Sequence, residues 1–104
     1  MSQIEKEMAD PMKTHENNFY AAASYYYNHD KDNEQALSWV NKAIEKNPDA
    51  FWMIRLKSQI QAKLGKYKEA IETAKSGIEA AKKAGNEQYV KFNQDAIAEW
   101  EKMK

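Results

Sequence analysis

The sequence predicts an all-α solenoid of two helical hairpins closed by a C-terminal helix. One observation is an internal recurrence: Ala36, Leu37 and Ile44 return 34 residues later as Ala70, Ile71 and Ile78. A second is that apolar residues recur every three or four positions through most of the chain, the period of a helix face. A third is that helix-stopping residues, Asn47 with Pro48, then Gly65, then Gly85, fall between those periodic segments. A hairpin of this length cannot bury its apolar face alone, so its copies must stack.

Ser2 and Glu5 have the spacing of a capping box, and the short helix they would start is interrupted by Asp10 and Pro11. Residues 1–10 therefore read as an adaptor. Repeat one covers residues 11–48. Asp10 caps its first helix with Pro11 in the first turn, and Phe19, Ala22, Ala23, Tyr26 and Tyr27 follow at helical spacing to about Asn28. The polar run from His29 to Asn33 is a turn. Ala36, Leu37, Val40, Ala43 and Ile44 then mark one face of a second helix, ended by Asn47 and Pro48.

Repeat two covers residues 49–85. Asp49 is the expected cap of a helix with Met53, Leu56, Ile60 and Leu64 on its apolar face, stopped by Gly65. Its partner helix starts near Lys66 and carries Tyr67, Ala70, Ile71, Ala74, Ile78 and Ala81 before Gly85. It should outrun its counterpart because no proline stands where Pro48 did. Asn86 caps a last helix over residues 86–104, with Tyr89, Phe92, Ala96, Trp100 and Met103 on one side. That helix would cover the exposed end of the stack. Without a glycine-serine linker the whole of 1–104 reads as one domain.

Composition narrows the function classes. The 104 residues are 42% apolar and 12% aromatic, enough for one core without a metal or disulfide. Sixteen basic against sixteen acidic residues leave no net charge, hence no field to gather nucleic acid or an anionic membrane. The absence of cysteine removes disulfides, thiolate catalysis and thiolate-bound zinc, and leaves the compartment open. No apolar run reaches signal-peptide or membrane-helix length, so the chain as written reads as soluble and cytoplasmic.

These residues resemble a tetratricopeptide repeat, whose pattern runs W-x2-L-G-x2-Y, then A, F, A and P. With Pro48 on the proline position, Ala36, Val40 and Ala43 fall on the Ala, Phe and Ala sites and Tyr27 on the Tyr site. Gly65, Tyr67, Ala70 and Ala74 match in repeat two, so the likeness spans about residues 17 to 84. Lys57 and Gln61 depart from it, standing where the family has Leu and Tyr. The two repeats agree with each other, Phe19, Ala22 and Tyr26 preceding Met53, Leu56 and Ile60 by 34, on a register one residue off the family's. The resemblance implies a right-handed solenoid that binds a peptide or helix in a concave groove lined by its first helices. The stretch from Asn47 through Gly65 and the final helix is also similar to the C-terminal helical segment of a bacterial exported family of unknown function. That likeness would make the chain a fragment of an exported parent.

On the family's register the groove positions are Asn18, Ala21, Tyr25 and Asn28 in repeat one, and Trp52, Arg55, Gln59 and Lys63 in repeat two. Trp and Arg most often anchor interfaces, through large area and a rigid fork of donors. The competing reading makes Trp52 a packing residue and Arg55 a solvated charge. The family's carboxylate clamp is not expected, because Ala21 and Tyr25 occupy its Lys and Asn places. Tyr25, Tyr26 and Tyr27 point about 100° apart on a helix, so they cannot all be core.

His15 with Glu16, and His29 with Asp30 and Asp32, have no metal-site spacing, and no phosphate loop or nucleophile elbow occurs. Neither an enzyme nor a cofactor is expected. The expected function is a protein-binding scaffold with a protein or peptide partner. The alternatives are a structural module that packs on its parent chain or forms a homodimer, burying Trp39, Trp100 or the tyrosine surface, and a small-ligand or metal binder.

Overall fold

Five helices follow one another among the described residues, 17–104, of a computed structural model. They are α1 (Asn17–Asn28), α2 (Asn33–Lys46), α3 (Phe51–Lys63), α4 (Tyr67–Ala84) and α5 (Glu87–Glu101). The expected adaptor at 1–10, the Asp10 cap and the pair His15 and Glu16 lie outside the described residues.

Local chemistry sets most of the helix ends. Asp30 adopts a left-handed φ of 54° after α1, and the Asp32 side chain caps α2 by accepting from the Gln35 amide at 3.1 Å. Helix α2 stops at Asn47, ahead of Pro48, after 14 residues, whereas α4 continues for 18 until Gly85 takes φ 75°. Asn86 caps α5 through the Tyr89 amide at 3.0 Å, as its sequence suggests. Asp49 does not cap α3. The cap position belongs to Ala50, which makes no side-chain cap bond, and Asp49 instead faces Lys83 Nζ at 3.7 Å. Ala50 is buried with Ala43 and Met53, so packing onto α2 decides where α3 begins.

The helices pair as the hairpins α1–α2 and α3–α4, and α5 packs on α4. The first helices also touch along the stack, α1 on α3 and α3 on α5, whereas no Cα of α2 comes within 8 Å of α4. The row α1, α3, α5 is therefore the inner side of the curve. Between the rows lies a core of small residues. Ala22, Ala23, Ala36, Ala43, Ala70, Ala74, Ala80 and Ala81 are buried, and Val40, Met53, Ile54, Leu56, Ile60 and Ile71 fill what they leave open. Of the three tyrosines Tyr26 alone is buried, edge-on to Trp39 at 4.8 Å, with half-buried Tyr25 and Tyr27 on either side.

Buried polar groups lie inside the second hairpin and between it and α5. Gln61, where the family has Tyr, is buried and accepts from Thr73 Oγ1 at 2.6 Å, tying α3 to α4. Ser58, fully buried, donates to the Arg55 carbonyl at 2.7 Å. Helix α5 corrects the expected stripe. Its one buried residue is Asn93, with Val90, Ile97 and Trp100 half-buried around it, while Phe92 and Met103 are exposed. The cause is Gly77 on α4: a Cβ there would stand 3.0 Å from Asn93 Nδ2 and 3.3 Å from Ile54 Cγ2. Asn93 occupies the space that a side chain at 77 would need.

This contact predicts a reversal of sign. Gly77→Ala gains about 1 kcal/mol of helix propensity but loses about 1–3 kcal/mol to overpacking, for a net destabilisation of about 1 kcal/mol. In an Asn93→Ala background the same substitution should stabilise, and urea denaturation of the four proteins of this cycle measures the coupling.

Candidate functional site

The inner row of helices carries a contiguous aromatic cluster. Phe51 opens α3 and meets Trp52 edge-on at 5.0 Å and Tyr89 of α5 at 4.9 Å, and Tyr89 meets Phe92 at 5.5 Å. The Arg55 guanidinium lies over the Phe92 ring, 4.8 Å from its centre. Tyr20 of α1 packs on the core clusters beside this group: burial, then the charge influence of the Tyr89 phenol, raises its pKa above the ordinary 10.0. Edge-to-face pairs of this kind contribute about 0.5–1.5 kcal/mol each beyond their buried area, which holds the rings in place on the helices that present them. The cluster nonetheless reaches solvent, with Trp52 41% and Phe92 37% exposed.

The expected groove residues separate into two groups. Trp52 and Arg55 stand three apart on α3 and belong to the aromatic cluster. Trp52 is too exposed to be core, and Arg55, half-buried on Phe92, is not a solvated charge. Lys63 lies at the far end of α3, bonded to Asp30 at 2.8 Å and seated 4.9 Å above the Tyr27 ring. Its pKa is raised by the hydrogen bond to Asp30. Tyr25 stacks on His29 at 4.2 Å and its carbonyl takes the His29 Nδ1–H at 2.9 Å. Asn28 is exposed and donates to Ser24 at 3.4 Å. Ala21 is exposed, Gln59 is half-buried, and Asn18 falls in the first turn of α1.

Three members of the cluster, Phe51, Tyr89 and Phe92, were not among the expected site residues. Tyr89 and Phe92 read as packing residues of the last helix. The available signal was that the first helices of neighbouring units carry aromatic pairs near their starts, Phe51 with Trp52 and Tyr89 with Phe92. His29, Asp30 and Asp32 bring no metal cluster together, and among the described residues no three His, Asp or Glu side chains converge. No helix of the described residues is long and apolar enough to cross a membrane.

Hairpins in a row, with an aromatic inner face, define a helical repeat protein. Two solved structures share its shape, a solution NMR structure and a crystal structure, both of a tetratricopeptide repeat domain protein from Salinibacter ruber. The first is 25% identical with a TM-score of 0.77, over 88% of this chain and 91% of that one. The second is 26% identical with a TM-score of 0.75, over 86% and 99%. No family model and no curated protein matches the chain. The chain is a tetratricopeptide-like protein, and this fold serves in general as a scaffold for protein interaction rather than catalysis.

The raised Tyr20 pKa has a sign that can be checked. Because the folded phenol holds its proton more tightly than the unfolded one, its stabilisation is complete below about pH 10 and is lost as pH climbs through the folded value. Tyr20→Phe should reduce the fall in urea midpoint between about pH 9 and about pH 11. Lys63, also raised, accounts for part of the fall that persists in the variant.

Proposed function

We propose that the inner face of α1, α3 and α5 binds an extended peptide or a helix of a partner protein, with the aromatic cluster around Trp52 as the anchor. The observation that supports this most directly is the pairing of exposure with rigidity. Trp52 and Phe92 offer large apolar area to solvent, yet each is held edge-on by a neighbouring ring. A preformed anchor loses little side-chain entropy on binding, and central aromatic residues dominate interface energetics. The groove positions Tyr25, Asn28, Gln59 and Lys63 would extend the contact toward the C-terminal ends of α1 and α3. Units 11–48 and 49–85 would act with the helix at 86–104 as one domain.

Sedimentation equilibrium at several concentrations comes first. A concentration-independent monomer leaves the face open to a foreign chain, whereas a dimer abolished by Trp52→Ala would assign it to a second copy. Selection of random 12-residue peptides displayed on phage then tests binding. Peptides recovered by the wild-type protein should lose affinity by about tenfold or more with Trp52→Ala or Phe92→Ala, the loss expected of anchor residues. Affinity unchanged by both substitutions would move the site off this face.

A further inference from the structure

Resting on the reading of the inner face as a peptide site, we infer that the bound segment carries an acidic side chain beside its apolar anchor, and that Arg55 receives it. Arg55 is a cation that the described protein leaves uncompensated. No carboxylate among the described residues lies within 4.0 Å of its guanidinium, and Nη1 is shielded from water with no acceptor. Lys63, the other cation placed on this face of α3, already has Asp30 at 2.8 Å. An ion-pairing charge added to the face therefore meets Arg55 first.

The setting of Arg55 favours a carboxylate. Phe92 supports one flat side of the guanidinium at 4.8 Å, which fixes the plane and leaves the Nε–Nη2 edge, the one away from the shielded Nη1, to be met by a planar pair of oxygens. Nη1 itself is sealed from solvent, so an incoming carboxylate pairs with the remaining donors and adds charge attraction to a cation that has no ion-pair partner among the described residues. The position of the acid relative to the anchor follows from the helix. Trp52 and Arg55 are three apart on α3, about 5–6 Å between their Cβ atoms. The partner's apolar and acidic side chains are accordingly close neighbours, one or two residues apart if extended, three or four if helical. With no net charge on the chain there is no long-range steering, so the acid contributes register and residence time rather than speed of association.

The test is the composition of the selected peptides. Wild-type protein should enrich Asp or Glu next to Trp, Phe or Leu, and Arg55→Met, which keeps the stem on Phe92, should keep the apolar residue and lose the acidic one. For the strongest peptide, Arg55→Met or a Glu→Gln change in the peptide should each weaken binding about tenfold, as for loss of a charge-assisted hydrogen bond. The two changes together should weaken it little further. The peptide substitution leaves the protein untouched, so it decides the matter even where Arg55→Met unfolds. Selected peptides that are apolar without acidic enrichment, or indifferent to Glu→Gln, overturn the role of Arg55 and leave peptide binding intact. Recovery no better than that of Trp52→Ala overturns both.

Discussion

Close approach of helices over alanine is the constraint on which the rest of this structure depends. Where α1 meets α2 both helices bury alanines, Ala22, Ala23 and Ala36 among them, and where α3 meets α4 the alanines Ala70 and Ala74 of α4 face the larger residues of α3. A methyl group fixes the distance between two helix axes within narrow limits, because there is no longer side chain to rearrange. The larger residues, Val40, Met53, Ile54, Leu56, Ile60 and Ile71, then have defined sites to fill. The first helices touch along one side of the stack while α2 and α4 do not meet, and that arrangement brings Phe51 of α3 against Tyr89 of α5 with Tyr20 of α1 within the electrostatic reach of Tyr89.

Polar groups lie inside the second hairpin and at its contact with α5. Thr73 and Gln61 hold α3 to α4 through one short hydrogen bond, and Asn93 of α5 lies in the gap left by Gly77. Neither adds much net free energy, since buried hydrogen bonds contribute about 1 kcal/mol and an amide without a partner is unfavourable. What they supply is alignment. A slipped or rotated helix would strand Gln61 or drive Asn93 into the α4 backbone, so the arrangement is selected against its near alternatives.

Helix existence and order were legible because periodicity and end signals agreed. Gly65, Gly85 and the Asn47–Pro48 stop act through backbone geometry and Asn86 through a side-chain cap on its own helix, both of which neighbours alter little. Asp49 failed as a cap because that position is decided by the burial of Ala50, a tertiary effect invisible in a local pattern. The stripe of α5 was misjudged for the same reason. Asn93 reads as surface until the missing side chain of Gly77 is seen opposite it. For the candidate site, Trp52 and Arg55 were found through the register of first helices. Their ring partners were not, because Phe51, Tyr89 and Phe92 meet across a helix boundary that no spacing within one segment encodes.

Residues 43 and 77 occupy equivalent places in the two repeats, and only one of them is glycine. A helix bearing Asn93 fits over Gly77, yet over Ala43 it would collide with a methyl group. The two junctions of an otherwise repetitive stack therefore have different keys. Shuffled or duplicated units, and hairpins exchanged between copies of the chain, would meet a mismatched seat, so the serial order of the modules is encoded in the presence or absence of a single carbon atom.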